Sequence, residues 1–352
     1  MGSLTPAIIW QSIEQVGSTI IAIALLVGAM EVVLYYVLKK WLRYRYALPA
    51  MLLATTAVGL LLLVVYPFVY NFTIAFSNMS LTRFSPERGM ERGIEHALNN
   101  LRTVFTRPVL QSQHFAPVFL RTVLWTTIQV TAHVTIGLWI AMMLNRRMRL
   151  RGLYRAILLL PWAIPQVVAV LAWRGEFNFT YGYINNVLVM LGLDRISWMS
   201  SPLWNFVAFN IVNIWLGVPF MSMVLLGALQ SVDPTYYESA EIDGASWVQR
   251  FRNVTLPMIR PIMTPAVVLG VIWTFNNFNV PYFINAQSLE TSDILVTALF
   301  RAAFEYNRYG FAAMFSIVIF LILLGFTIVY MRLTEFRPSV QSANAMPHTA
   351  GE

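Results

Sequence analysis

Three asparagines crowd into one apolar run. The stretch Gly270-Val-Ile-Trp-Thr-Phe-Asn-Asn-Phe-Asn-Val-Pro281 sets Asn276, Asn277 and Asn279 among Trp273, Phe275 and Phe278. An amide both donates and accepts, so it meets a hydroxyl in either sense, and an aromatic face stacks on the C–H surface of a sugar ring. Bare amides facing hydrocarbon are costly, so these belong on the interior of a bundle or on a wet cavity. The plainer alternative is that they only make hydrogen bonds between helices.

A second run, Asp233 to Pro257, is equipped differently. Asp233 fits an N-cap with Pro234 at the first helical position, and a short helix then passes through Ala240, Glu241 and Ile242. Gly244 stops it in a left-handed conformation. A second amphipathic stretch (Trp247, Phe251, Val254) leads to Leu256-Pro257, where another apolar run begins. Small residues (Ser239, Ala240, Ala245) permit close approach by a partner, and Glu238 offers a carboxylate to a basic groove. An ordinary interfacial helix held by lipid is the competing reading.

Other chemistry is thinly supplied. Cysteine is absent and there are four histidines, which leaves no metal-ligand cluster or thiolate nucleophile to be read from the sequence. No phosphate loop of the Gly-x-x-x-x-Gly-Lys-Ser/Thr type occurs, so ATP hydrolysis is not expected here. His133 and Glu31 lie within apolar runs. Each admits a proton-relay role, or a plain one as a hydrogen-bonded histidine and a paired or snorkelling carboxylate. Trp162, Trp173, Trp198 and Trp204 read as membrane-interface anchors rather than ligand contacts.

The elements that must position these residues are membrane helices. Of 352 residues, 58% are hydrophobic and 11% charged, against about a quarter charged in soluble domains. Crossing the hydrocarbon takes about 20 apolar residues. Seven stretches serve: 17–38, 48–70, 118–144, 153–173, 206–229, 261–284 and 309–331. Lys39, Lys40, Arg43 and Arg45, then Arg146, Arg147, Arg149 and Arg151, then Arg250, Arg252 and Arg260, then Arg332 and Arg337, fall in alternate loops. The positive-inside rule makes that side cytoplasmic, with the N-terminus external and the C-terminus inside. The net charge of +8 is thus a topology signal and implies no nucleic acid. The first apolar run lacks the basic flank and cleavage site of a signal peptide and reads as a retained span.

The run Glu238-x-Ala…Asp243-Gly244-Ala245…Leu256-Pro257 resembles the "EAA" loop of ABC importer permeases, with Ser239 in place of the middle small residue. The resemblance implies that Glu238, Ser239, Ala240, Asp243, Gly244, Ala245, Leu256 and Pro257 dock on the ATPase subunit as a coupling helix. It extends along most of the chain to the MalF type of permease. The runs that carry it are Arg45-Tyr-Ala-Leu-Pro49, Tyr66-Pro67, Ile74-Ala-Phe76, Leu158-Leu-Leu-Pro-Trp-Ala-Ile-Pro165, Asn213-Ile-Trp-Leu-Gly-Val-Pro-Phe220, Phe275-Asn-Asn-Phe278 and Asp293-Ile-Leu-Val296. That subunit type usually has eight spans rather than seven, and some members insert a folded domain for which Asn71–Pro117 is too short.

By this resemblance the fold is an all-α polytopic bundle with a MetI-like permease core. A two-helix region (1–70), an external loop (71–117), a core (118–335) with its coupling loop (230–258), and a disordered cytoplasmic tail (336–352) are expected. Leu216, Gly217, Phe220, Gly270, Trp273, Thr274 and Asn277 match positions that line the sugar site. Phe220 stands where the family has tyrosine, Gly270 where it has serine and Thr274 where it has asparagine. The implied function is oligosaccharide import across the bacterial inner membrane. The implied partners are a second, MalG-type permease, a homodimeric ABC ATPase that carries the ATP and magnesium, an external solute-binding protein, and lipid. No cofactor is expected on this chain. The rival is an ion-coupled secondary sugar transporter, against which the scarcity of charge inside the last three spans weighs.

Overall fold

The computed structural model describes residues 6–110, 112–146, 148–285, 289 and 292–334. The tail expected at 336–352 lies outside them. Two compact units divide between Thr73 and Ile74.

The first unit contains α1 (Pro6–Leu34), α2 (Ala47–Leu60) and most of α3 (Tyr66–Ala75), joined by π-helical turns at Tyr35–Trp41 and Leu61–Val65. Leu25, Leu26, Leu53 and Leu63 are exposed, a surface suited to lipid rather than water. The Thr55 hydroxyl donates to the Glu31 carboxylate.

The second unit contains α4 (Ile94–Thr106), α5 (Phe115–Asn145), α6 (Arg151–Ala163), α7 (Gln166–Glu176), α8 (Tyr183–Met190) and α9 (Pro202–Gln230). It continues with α10 (Pro234–Ile242), α11 (Trp247–Arg250), α12 (Leu256–Phe275), α13 (Asn279–Ile284), α14 (Leu295–Phe300) and α15 (Tyr309–Thr334). Among the described residues there is no strand, only an isolated bridge between Ser77 and Arg92. The chain is all-α, with six helical spans long and apolar enough to cross a membrane and a seventh if a bent pair is counted.

That bent pair corrects one sequence expectation. The stretch 153–173, read as one span, is α6 and α7 meeting at 88°. Proline supplies no N–H to the ladder and drives its predecessor out of the helical region. Accordingly Ile164 is extended (ψ 135°) before Pro165, whereas Pro161, Pro219 and Pro265 stay inside helices. The span beginning at Pro261 is also interrupted, since α12 ends at Phe275 and α13 starts at Asn279.

The segment 71–117, expected as a loop, carries an amphipathic helix, α4. It packs on α15 and buries Ala97 and Val104. Asn100 Nδ2 donates to the carbonyls of Ala75 (3.0 Å) and Ser77 (2.9 Å), which pins α4 to the end of α3.

At the core, α9 packs along α5. Gly217 makes this possible, because a Cβ there would collide with the His133 ring. Trp125 Nε1 donates to the Thr274 carbonyl (3.0 Å) and ties α5 to α12. At the far end of α5, Arg121 donates to the Asp293 carbonyl (2.6 Å) and Thr122 Oγ1 accepts from Leu295 N (2.9 Å). Asp293 is itself buried, with Arg301 Nε 2.8 Å from its carboxylate and Asn285 Nδ2 3.3 Å away. Burial pushes the Asp293 carboxyl above its ordinary range, and the Arg301 guanidinium opposes that shift. Arg301 also pairs with Glu305 at 2.8 Å.

Removing one partner of a buried pair leaves an uncompensated charge, which costs about 3–5 kcal/mol. Arg301→Met is therefore expected to lower the thermal midpoint of the solubilised chain sharply. The joint change Arg301→Met with Asp293→Leu should recover most of the loss in the same melting experiment.

Candidate functional site

The seven residues matched to a sugar site come together. Leu216, Gly217 and Phe220 on α9, and Gly270, Trp273, Thr274 and Asn277 on and just beyond α12, line one open cavity of about 740 Å³. The volume is in the range of small-molecule sites. Other residues on the same cavity were not assigned to a sugar site from the sequence, among them His133, Trp162, Gln166, Asn213 and Phe278.

The walls differ in chemistry. One is aromatic: the Phe220 ring lies 5.6 Å from Trp162 and 5.3 Å from Trp273, a row of three rings drawn from α6, α9 and α12. Trp162 and Trp273 both line the cavity and are more than half exposed (57% and 55%). Trp162 is thus a cavity residue and not the interface anchor expected. Trp198 departs from that expectation too, being buried with Nε1 donating to Asn185 Oδ1 (3.0 Å). Trp173 packs on Phe177 and Trp215.

The other wall is made of amides at the two helix breaks. Asn279 Nδ2 donates to Gln166 Oε1 (2.8 Å), joining the break before α13 to the break before α7. Asn277 Nδ2 donates to Asn213 Oδ1 (2.8 Å), and Asn277 Oδ1 accepts from Val280 N (3.2 Å). His133 Nε2 lies 3.0 Å from the Asn213 carbonyl, so that nitrogen carries the proton. Among the described residues, no Asp, Glu, Lys or Arg lines the cavity. The arrangement offers neutral hydrogen bonding and ring stacking.

The docking segment also folds as its residues dictate. Asp233 caps α10, accepting from Thr235 N (2.9 Å) and Thr235 Oγ1 (2.5 Å), and these bonds hold its carboxyl below the ordinary range. Gly244 has φ +72°, with Gly244 N bonded to Glu241 O (3.0 Å) and Ala245 N to Ala240 O (2.9 Å), a Schellman ending. Ser246 then opens α11 with a capping box to Gln249. Tyr237 Oη to Thr255 Oγ1 (3.2 Å) and Arg250 to Glu241 (3.2 Å) hold α10 against the helices that follow. Glu238, Ser239, Asp243 and Gly244 are exposed, Ala240 and Ala245 half-buried, and Leu256-Pro257 begin α12.

An apolar bundle of this kind, with a cavity between broken helices and a capped helix standing off its surface loop, defines a membrane transport subunit. Residues 133–335, more than half of the chain, match the family described as binding-protein-dependent transport system inner membrane component, and the chain belongs to it. It is a multi-pass inner-membrane permease of the ABC importer kind. The galactooligosaccharides transport system permease protein GanP of Bacillus subtilis is 32% identical over 288 residues, 79% of this chain and 66% of that protein. The trehalose/maltose transport system permease protein MalF of Thermococcus litoralis is 33% identical over 229 residues, 65% of this chain and 78% of that one. The fold also resembles a chain of a bacterial alginate ABC transporter crystallised with an alginate pentasaccharide-bound periplasmic protein. The TM-score is 0.68 at 25% identity, covering 85% of this chain and 98% of that one.

Placing Gly217 against His133 generates a prediction. Gly217→Ala forces the ring aside and is expected to destabilise by about 1–3 kcal/mol, as overpacking does. Pairing it with His133→Ala should make the loss clearly less than additive when both are melted in detergent.

Proposed function

We propose that this chain moves a neutral oligosaccharide through the 740 Å³ cavity, as one of two homologous permease subunits driven by separate ATPases. The observation that carries the reading is the cavity's make-up: a row of three rings facing amides, with no charged side chain among the described residues. Rings stack on the C–H faces of sugars and amides meet their hydroxyls. The names of the relatives, for galactooligosaccharides and for trehalose and maltose, point to the same class.

In this reading an external binding protein delivers the sugar and α10 is the coupling helix, seated in a groove of an ABC ATPase that holds the ATP and magnesium. Its exposed Glu238 and small residues, and its rigid two-ended capping, support that role. The N-terminus lies outside and the loop that carries α10 lies in the cytoplasm, as the basic residues around Arg146 and Arg250 favour. Closure of the ATPases pushes α10, and the bundle exchanges an outward for an inward opening.

Co-purification from the native membrane is expected to recover an ATPase, a second permease and a solute-binding protein. In proteoliposomes holding that complex, Trp273→Ala and Phe220→Ala are each expected to lower sugar uptake about tenfold. Glu238→Lys or Gly244→Val, the latter at a φ that favours glycine, should abolish sugar-stimulated ATP hydrolysis. Survival of uptake in the ring variants would sink the cavity assignment, and survival of stimulated hydrolysis in the loop variants would sink the coupling assignment.

A further inference from the structure

Behind the amide wall a line of side chains continues into the protein. Asn277 Nδ2 donates to Asn213 Oδ1 (2.8 Å), and Asn213 Nδ2 donates to Gln129 Oε1 (3.0 Å). Gln129 Nε2 donates to Asn210 Oδ1 (2.8 Å) and to the Asn210 carbonyl (3.2 Å). Asn210 Nδ2 then donates to the Phe206 carbonyl (2.7 Å). Four amides from α5, α9 and the end of α12 thus form one chain, and Gln129, Asn210 and Asn213 are buried.

The oxygen and nitrogen of an amide are easily interchanged, so a chain of this kind has two possible directions. Here both ends are fixed by groups that cannot exchange roles. Val280 N can only donate, and it donates to Asn277 Oδ1 (3.2 Å). The Phe206 carbonyl can only accept, and it accepts from Asn210. Reversing any one amide would set oxygen against oxygen and nitrogen against nitrogen at its neighbours. Every side-chain carbonyl in the chain is therefore engaged. Asn277 and Asn213, the two members on the cavity, each keep a second N–H with no acceptor among the described residues.

We infer that Gln129, which does not line the cavity, is a positioning residue: it fixes Asn213 and Asn277 so that these two amides present N–H donors to the oxygen atoms of the cargo. The inference rests on the sugar reading above for the identity of the cargo, while the order of the amides stands independently of it. Gln129→Leu keeps roughly the same volume and removes both the acceptor that holds Asn213 and the donor that holds Asn210. Asn213 is then free to turn, and the wall loses its fixed sense.

The test uses the full complex in proteoliposomes with labelled maltose and trehalose as probes. Gln129→Leu is expected to lower uptake about tenfold while hydrolysis of ATP without binding protein is unchanged. Asn277→Ala is expected to lower uptake by a similar factor, and the double variant no further. Thr126→Val, a buried change on the same helix whose hydroxyl bonds only to its own backbone at Thr122, should leave uptake within about twofold. Wild-type uptake in Gln129→Leu, or independent multiplication of the two losses in the double variant, would overturn the inference. Absence of uptake of either probe by the wild-type complex would count against the sugar reading instead. The amide order is then decided by melting the solubilised chain: Gln129→Leu and Asn277→Ala together should be less than additive, and Gln129→Leu with Thr255→Ala additive, a strictly additive first pair refuting it.

Discussion

Backbone polar groups inside a membrane have no water to turn to, and the second unit is arranged around that constraint. Two helices are broken beside the cavity, at Ile164-Pro165 and at Asn276–Phe278. Each break frees groups that an unbroken helix would have paired. Side chains at and around the cavity hold the broken ends in place. Asn277 accepts from Val280 N, Trp125 donates to the Thr274 carbonyl, and the Asn279–Gln166 bond links the two breaks directly. A neutral, amide-lined cavity thus accompanies the two helix ends, and the same amides serve the structure and line the cavity.

The same segment connects the cavity to the surface. The Schellman ending at Gly244 and the capping box at Ser246 leave little freedom between α10 and α11, and Tyr237 bonds α10 back to Thr255. From Trp247 the chain is helical without interruption through a π turn at Phe251–Thr255 to Phe275. At 1.5 Å per residue that is a strut of about 40 Å, with Gly270, Trp273 and Thr274 at its inner end. A helix transmits displacement along its axis with little loss, and the break at Asn276 is the first place where the motion is freed. Force applied to α10 would accordingly be delivered at the ring row and the amide chain.

Much of this was legible from residue types and spacing. The apolar runs gave the spans, because crossing hydrocarbon constrains length and composition strongly. Asp233-Pro234 and Gly244 gave the limits of α10, because capping is a local matter. The fourth span's break was present in the sequence as Pro165, but other in-span prolines, Pro161, Pro219, Pro261 and Pro265 among them, gave the same signal and are accommodated within helices. The seven residues around the cavity were reached through resemblance. His133, Asn213 and Gln129 were not, because their meeting depends on how α5 and α9 are rotated against each other, which periodicity in a uniformly apolar helix does not encode. The helix α4 was missed for a different reason: its amphipathic face packs on α15 over a segment too polar to register as a span.

Broken helices at mid-membrane are also a device of ion-coupled transporters, so the breaks alone do not separate the two kinds of engine. What separates them is the chemistry placed there. Ion coupling requires a group that changes charge or a cage of oxygens at the breaks. Among the described residues the cavity holds one titratable side chain, His133, and its Nε2–H is committed to the Asn213 carbonyl beside Gly217. The side-chain oxygens of Asn213, Asn277 and Gln166 are already accepting hydrogen bonds from the protein, so a bare cation would have to compete for each of them. A cavity lined by neutral amides and rings, with no charged side chain among the described residues, suits a neutral, oxygen-rich solute. It also leaves the driving force to be supplied from elsewhere, which in the proposed reading is delivered through α10.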